Sequence, residues 1–201
     1  AVGKNEGLDD THPLRSKRMN IAVSRYHKSP QKGNPNLAEA LNLAQAGFPV
    51  FPVSQDRKPL VKWKEAATDD TAQVRRWWGR WPDAMPAMPT GAKSGISVLD
   101  VDMKNGKDGF AALRSLGLDP DTLSHVRVQT PSGGGHIYFR HRKGLTNSAS
   151  KLAPGLDVRG EGGYVHAMGA VNGKGVFEVL GTHIADDVLG LPDWPDVLKP
   201  V

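Results

Sequence analysis

Three stretches of the chain have the apolar spacing of helices. In the first, positions 37, 40, 41 and 44 share one face, and Gly47 ends the pattern. Asp108 and Gly117 mark the start and the end of the last one. The predicted helices are 37–46, a helix through Trp78 capped by the side chains at 68–71, and 109–116.

Short β-branched and aromatic runs predict a sheet. Residues 96–102 are apolar on both faces, as a central strand requires. The run 48–53 contains Pro49 and Pro52 and therefore predicts an edge or irregular strand. Further β-like runs, separated by Gly-, Pro- and Asn-rich turns, occupy 126–129, 136–140, 164–167 and 175–180. Together these elements predict an α+β domain with a mostly antiparallel central sheet and flanking helices.

Length and composition narrow the class of protein. At 201 residues, 38% of them hydrophobic, the chain can close one core. No run approaches the roughly 18 apolar residues of a membrane span, and no apolar signal core is present. The absence of Cys excludes disulfides, Cys-ligated zinc and a thiol nucleophile. We expect a cytoplasmic protein with no membrane partner.

The net charge of +5 is unevenly distributed. We expect a flexible basic arm over 1–35, a folded domain over 36–181, and an acidic tail or linker over 182–201. Basic and aromatic residues alternate in two clusters, which favours a surface that follows a phosphate backbone. The same clusters are equally explained if the basic residues are solvated at the surface and the Trp residues pack into the core. These clusters are Arg57, Lys58, Lys62 and Lys64, and Arg75 and Arg76 with Trp77 and Trp78.

Two aspartates lie two residues apart at the end of the predicted central strand. Because side chains alternate along a strand, Asp100 and Asp102 project from one face, and their apolar neighbours from the other. Carboxylate oxygens this close suit a hard divalent ion such as Mg²⁺ or Mn²⁺. On spacing alone, a solvated strand end before the turn at 104–106 accounts for them equally well.

A glycine-rich loop at 130–136 leads into another predicted strand. Gly133, Gly134 and Gly135 have no Cβ, so backbone N–H groups can converge on an anion such as a triphosphate. Ser132 precedes the glycines, and His136 follows them at the first strand position, where it can donate to a phosphate oxygen. Taken alone, a histidine at this position is more often structural.

A third carboxylate lies on the β-like segment 156–164. Arg159 follows Asp157 by two residues and shares its face. If Asp157 and Arg159 only formed a surface ion pair in a hairpin, they would contribute little to the stability of the fold. Three aspartates, a histidine and two glycine-rich turns, each attached to a predicted strand, nevertheless predict one shared cleft.

Six segments, taken in order, form a specific pattern. They are Gly47-Phe-Pro-Val-Phe-Pro52, Lys58-Pro-Leu with Trp63, Trp77-Trp78 with Trp81-Pro82, Ser94–Asp102, Ser132-Gly-Gly-Gly-His136 and Leu156–Tyr164. Between about residues 37 and 180, the chain thereby resembles the N-terminal primase-polymerase (prim-pol) domain of the archaeo-eukaryotic primase superfamily.

The resemblance implies an RRM-like catalytic core over 36–181. It also implies a template-dependent DNA primase/polymerase that transfers nucleotidyl groups from (d)NTPs to a 3′-hydroxyl, in replication of a prokaryotic, phage or plasmid genome. The implied partners are single-stranded or primed DNA, nucleoside triphosphates and a helicase domain or protein absent from this chain.

The same resemblance assigns residues. Asp100, Asp102 and Asp157 would be the catalytic carboxylates and would hold Mg²⁺ or Mn²⁺ in a two-metal site. The triphosphate would contact Ser132, Gly133, Gly134, Gly135 and His136, with added charge from Arg159 and Lys58. Candidate nucleic-acid contacts are Arg140, Arg142, Lys143, Arg75 and Arg76.

The chain departs from the family pattern at one point. Where relatives usually have a Pro soon after the Gly-Gly-Tyr strand, it reads Val-His-Ala-Met-Gly over 165–169. It also lacks the Cys of a zinc-bearing element and any helicase motif, and little chain follows residue 180. Chain extension is therefore a firmer expectation than de novo priming.

Other functions remain open at this stage. A metal-dependent nuclease or phosphohydrolase would use the same carboxylates with water as the nucleophile, and a non-catalytic nucleotide- or nucleic-acid-binding module would use neither. A hydrolase triad of Ser132, His136 and Asp157 lacks the usual Gly-x-Ser-x-Gly turn. The preference for ribose or deoxyribose is also open.

Overall fold

The computed structural model describes residues 33–187 and 189–198, so nearly all of the predicted arm (1–35) lies outside the described residues. Its helices are α1 (Pro35–Gln45), α2 (Trp63–Ala66), α3 (Thr71–Arg80) and α4 (Gly109–Ser115), followed by a 3₁₀ turn at Asp196–Leu198. In the described part of the chain, no helix is long and apolar enough to cross a membrane.

Side-chain caps explain where the three predicted helices begin. The side chain of Asn34 accepts hydrogen bonds at the start of α1, Asp70 does so at the start of α3, and Asp108 at the start of α4. The predictions for these helices are confirmed. Helix α2, a single turn, was not predicted.

The strands are short. They are β1 (Phe51–Val53), β2 (Met85–Pro89), β3 (Ile96–Val101), β4 (Val126–Gln129), β5 (Gly135–Arg140), β6 (Ser148–Ala153), β7 (Leu156–Arg159), β8 (Tyr164–His166), β9 (Val171–Asn172), β10 (Gly175–Val176) and β11 (Glu178–Gly181). Strand β2 was not predicted because Pro86 and Pro89 argue against a strand.

Three antiparallel sheets form from these strands. The largest has the order β11-β4-β5-β3-β7-β6, the second has the order β1-β2-β8, and β9 and β10 form a hairpin. Strand β3 lies between β5 and β7 and is antiparallel to both. With helices beside mostly antiparallel sheets, the predicted α+β class is confirmed.

Alternation along β3 divides the core into two clusters. Val98 joins the cluster that contains α1, α3 and the three-stranded sheet. Leu99 and Val101 join a second cluster, which contains Leu113 of α4 and Trp194 near the C-terminus. The six-stranded sheet is therefore covered on both faces, as the apolar character of β3 predicted.

The segment predicted as an acidic tail packs on the domain. Ile184, Leu191 and Trp194 are buried, as is Leu198. The ring of Trp194 lies 5.1 Å from that of Phe139, and its Nε1–H donates to the carbonyl of Leu198 at 2.7 Å. This segment therefore contributes to both core clusters, Ile184 and Leu191 to the first and Trp194 and Leu198 to the second.

Candidate active site

A pocket of about 320 Å³ lies between the C-terminal end of β3 and strand β8. Five of the predicted site residues line it, although they are far apart in the sequence. They are Asp100, Asp102, Ser132, His136 and Arg159. The predicted shared cleft is thus present for these residues.

The strand register brings the side chains together. Asp100 of β3 lies opposite His136 of β5 on one side and opposite Asp157 of β7 on the other. Directly opposite residues in an antiparallel sheet place their Cβ atoms about 5 Å apart on the same face. One carboxylate therefore has a second carboxylate and an imidazole as its neighbours.

The guanidinium of Arg159 joins the two carboxylates. Its Nε and Nη2 donate to Oδ2 of Asp100 at 3.1 and 2.8 Å, and Nη2 also donates to Oδ2 of Asp157 at 3.0 Å. All three side chains are largely buried, with 27% of Arg159 exposed. Charge-assisted hydrogen bonds of this kind are stronger than neutral ones, and the single positive charge of Arg159 offsets part of the negative charge of the two aspartates.

Asp102 follows the last residue of β3 and is fixed by its backbone. Its N–H donates to the carbonyl of Gly155 at 2.8 Å, and its carbonyl accepts from the N–H of Gly109 at 3.1 Å. Its Oδ1 lies 3.8 Å from Nζ of Lys104. The carboxylate is therefore held at the pocket by the main chain and is opposed by one flexible cation.

The donor set fits a divalent cation in part. Asp100 and Asp102 both line the pocket, and their carboxylate oxygens are the hard ligands that Mg²⁺ and Mn²⁺ prefer. Asp157 is not among the residues that line the pocket. Within residues 33–187 and 189–198, no group of three or more His, Cys, Asp or Glu side chains is arranged to hold a metal ion. Two carboxylates are sufficient where substrate phosphates supply further ligands.

The glycine-rich loop is closed by its own hydrogen bonds. Gly133 N–H donates to the carbonyl of Thr130 at 2.9 Å, and Thr130 N–H donates to that of Gly134 at 2.9 Å. A Cβ on Gly134 would overlap the carbonyl oxygen of Val101, so glycine lets the loop lie against the end of β3. The pocket is lined by Ser132 and His136, and Gly133, Gly134 and Gly135 are not among its lining residues.

His136 is buried beside Asp100. Its Nε2 lies 3.7 Å from Oδ1 of Asp100, and its buried Nδ1 has no hydrogen-bond partner among the described residues. Burial lowers the pKa of His136 below its usual value, although the Asp100 carboxylate opposes this shift. The imidazole is therefore neutral at pH 7 and acts as a hydrogen-bonding group.

Comparison with known proteins agrees with this geometry. The family described as Prim-Pol, bifunctional DNA primase/polymerase, N-terminal, matches residues 40–194, which is more than half of the chain and includes every residue discussed at the pocket. The chain belongs to the Prim-Pol family. Among curated proteins, none matches it at a significant level. The resemblance inferred from the six sequence segments is thus confirmed.

Other predicted residues of the Prim-Pol domain lie away from the pocket. Arg140 is at the opposite end of β5 from His136, where it donates to Asp193 at 2.9 Å, and Arg142 donates to Asp196 at 2.8 Å. The exposed residues Lys58, Arg75, Arg76 and Lys143 do not line the pocket either.

Several pocket residues of the Prim-Pol domain were not predicted as site residues. Arg57 belongs to the basic cluster that includes Lys58, and Tyr164 ends the Gly-Gly-Tyr segment, so a sequence signal existed for both. Phe177 and His166 had none, because their positions depend on how β8 and the chain after β10 fold over the large sheet. Trp63, Lys104 and Asn147 also line the pocket and were not predicted as site residues.

Aromatic rings form one wall of the pocket. The rings of Trp63 and Tyr164 lie 5.3 Å apart in an edge arrangement, and Phe51 stacks on Trp63 at 5.4 Å. The carboxylates of Asp100 and Asp102 and the cations of Arg159 and Lys104 lie on the side formed by β3 and β7, and Arg57 lies beside Tyr164. The pocket therefore has a charged side and an aromatic side, which suits a ligand with a phosphate end and an uncharged end.

Proposed function

We propose that this Prim-Pol domain is a template-dependent DNA primase/polymerase that transfers nucleotidyl groups from NTPs or dNTPs to a 3′-hydroxyl. The observation that supports this best is the convergence of Asp100, Asp102, His136 and Arg159 on one pocket. A binding module would need cations for phosphate, but it has no need of two carboxylates beside them. The paired carboxylates therefore favour catalysis.

Asp100 and Asp102 would hold Mg²⁺ or Mn²⁺ at the end of β3. When bound, such a cation lowers the pKa of the attacking hydroxyl and neutralises charge on the leaving pyrophosphate. The chain's own part is to fix the two carboxylates: Asp100 within the sheet and Asp102 by its backbone hydrogen bonds to Gly155 and Gly109. Rigid support of this kind keeps the reacting groups in line.

Ser132, His136 and Arg159 would contact the triphosphate. The neutral imidazole of His136 and the hydroxyl of Ser132 donate hydrogen bonds, whereas Arg159 supplies charge. Arg159 reaches Asp100 and Asp157 in this structure, so it can turn from carboxylate to phosphate oxygens within the same pocket. For Asp157 to act as a third metal ligand, Arg159 has to release it.

Single-stranded or primed DNA would be the template. Arg140 and Arg142 are paired with Asp193 and Asp196, and Arg76 with Asp70. The better candidates for phosphate contacts are therefore the exposed Lys58, Arg75 and Lys143. Each phosphate contact of this kind makes binding weaker at higher salt. A helicase partner and a role in replicating a prokaryotic, phage or plasmid genome follow from the family resemblance alone and belong to the same proposal.

The test is incorporation of labelled dNTPs and NTPs on single-stranded DNA, with and without a primer, in Mg²⁺ or Mn²⁺. We expect template-dependent release of pyrophosphate from the wild-type protein. Substitution of both Asp100 and Asp102 by Asn should reduce it by at least about 1,000-fold, because the change keeps side-chain volume and removes both charges.

Asp193→Asn is the matched control, since it alters an exposed aspartate outside the pocket. It should incorporate nucleotides within about twofold of the wild-type rate. Full activity in the Asp100/Asp102 double variant would reject the assignment. Hydrolysis of DNA or nucleotides without a template would instead support the nuclease or phosphohydrolase alternative.

A further inference from the structure

His166 occupies a rigid position on the aromatic side of the pocket. It is the last residue of β8 and lies opposite Ala87 of β2. The next N–H, that of Ala167, donates to the carbonyl of Pro86 at 2.9 Å. The side chain is half-buried and lines the pocket, within the segment 165–169 where the sequence departs from the family pattern.

The imidazole of His166 has ring neighbours but no polar partner. Its ring lies 6.4 Å from that of Tyr164 and 5.2 Å from that of Phe177. Nδ1 is buried without a hydrogen-bond partner, and no other residue in the described ranges donates to or accepts from the ring. Leaving a buried polar atom unpaired costs free energy. A tautomer with the proton on Nε2 avoids a buried, unpaired N–H and presents that donor to the pocket.

The ring carries no charge at neutral pH. Burial lowers the pKa of His166 to about 4, with smaller lowering contributions from the neighbouring His136 and Arg57, and the Asp100 carboxylate opposes the shift. The charged side of the pocket already contains Arg159 and Lys104 for phosphate oxygens. A neutral donor among aromatic rings suits an uncharged acceptor, such as an alcohol, better than it suits a phosphate.

We propose that His166 hydrogen-bonds a hydroxyl of the nucleotide's sugar and so distinguishes nucleotides that carry this hydroxyl from those that lack it. This rests on the proposed function, because a nucleotide triphosphate with its phosphates near His136 and Arg159 has its sugar as the next uncharged part. His166 is then a specificity residue, fixed by the β2–β8 pairing, that reads either the 2′- or the 3′-hydroxyl.

The test compares ATP, dATP and 2′,3′-dideoxy-ATP, which carry two, one and no sugar hydroxyls. Their dissociation constants are measured in Ca²⁺ with template DNA for the wild type, His166→Val and His166→Asn. Val suits a strand and removes both ring nitrogens, whereas Asn restores a donor. His125→Val, which alters a histidine outside the pocket, is the matched control.

We expect His166→Val to weaken binding of hydroxyl-bearing nucleotides about 3- to 10-fold, the usual value of one hydrogen bond, and dideoxy-ATP by less than about twofold. A loss for ATP alone assigns the 2′-hydroxyl; a loss for ATP and dATP assigns the 3′-hydroxyl. His166→Asn should recover part of the loss, and His125→Val should change none of the three.

Equal weakening for all three nucleotides, or no weakening, would overturn the sugar contact and leave the proposed polymerase intact, provided the wild-type protein binds nucleotides. If the wild type binds none of them, the proposed function fails as well. Urea unfolding of His166→Val distinguishes a loss of binding from a loss of folding.

Discussion

Near each end of strand β3, a histidine lies close to a carboxylate, but the two histidines differ in how well their polar atoms are paired. At the start of β3, the hydroxyl of Ser97 lies 2.9 Å from Nδ1 of His141, whose Nε2 is 3.8 Å from Glu161. Glu161 accepts from the N–H of Ala92 at 2.8 Å. At the other end, the buried Nδ1 atoms of His136 and His166 have no hydrogen-bond partner among the described residues.

The contrast separates a structural cluster from a binding site. Ser97, His141 and Glu161 have the residue types of a hydrolase triad, but Ser97 is 0% exposed, so no substrate reaches its hydroxyl. Their polar atoms are satisfied within the protein, and the cluster connects three parts of the chain. Unpaired buried atoms cost free energy in folding. Two of them belong to His136 and His166, which line the pocket, so a ligand bound there can pair with these rings.

Among the tests of this contrast, the largest effect is expected at Arg159. Arg159→Ala should reduce nucleotide incorporation about 100-fold or more, because it removes one positive charge from the pocket and leaves the Asp100 and Asp157 carboxylates without the guanidinium between them. The matched control, Arg140→Ala, changes the arginine at the far end of β5. Steady-state rates on a primed template measure both. Similar losses for the two variants would contradict a special role for the pocket end.

Gly134 tests whether close packing of the glycine-rich loop against Val101 stabilises the pocket end of β3. Gly134→Ala should lower the free energy of unfolding by roughly 3 kcal/mol, because its Cβ overlaps the carbonyl of Val101 and shifts the loop. Gly133→Ala, at φ +81° with open space around it, should cost only about 1 kcal/mol through backbone strain. Urea unfolding measures both values. A smaller loss at Gly134 than at Gly133 would show that the loop is not tightly packed.

A third test uses the pH dependence of stability. His166 has a pKa near 4 when folded, against 6.5 as its ordinary value. As the pH falls from 6.5 towards 4, the unfolded chain therefore binds the proton first and folding loses roughly 2–3 kcal/mol from this group. His166→Val should not show this part of the loss. Parallel unfolding curves for the two proteins across this range would argue against a buried, neutral His166.

The smallest effects compare a buried hydroxyl that has a hydrogen-bond partner with one that has none. Ser97→Ala should cost about 1–2 kcal/mol in unfolding free energy, because it leaves Nδ1 of His141 unpaired. Tyr138→Phe removes a hydroxyl that has no partner, so the cost should be within about 0.5 kcal/mol of zero. Thermal unfolding of both variants in one buffer shows which substitution costs more stability. A larger cost for Tyr138→Phe would reverse the comparison.

Local chemistry made much of the fold predictable. Asp70 and Asp108 cap helices by hydrogen bonds within three residues, so the local sequence was sufficient to predict where these helices begin. Strand β3 has the apolar faces of a buried strand. Strand β2 was missed because Pro86 and Pro89 suppress the local signal, and only its pairing with β1 and β8 makes it a strand.

The candidate site was also predictable only where local sequence patterns determine it. Alternation placed Asp157 and Arg159 on one face, and the six segments indicated the pocket. Sequence spacing does not give the register that sets Asp157 opposite Asp100, nor the guanidinium between them. His166 and Phe177 enter through long-range packing of β8 and the chain after β10, which no local pattern encodes.

The packing of the C-terminal segment sets a practical limit on shortening this protein. Trp194 and Leu198 cover the apolar residues on the face of β3 and β5 opposite the pocket. A chain cut at residue 181, where the strands end, would expose that surface and favour aggregation. An expression boundary placed after residue 198 keeps this face of the sheet covered and should yield folded protein.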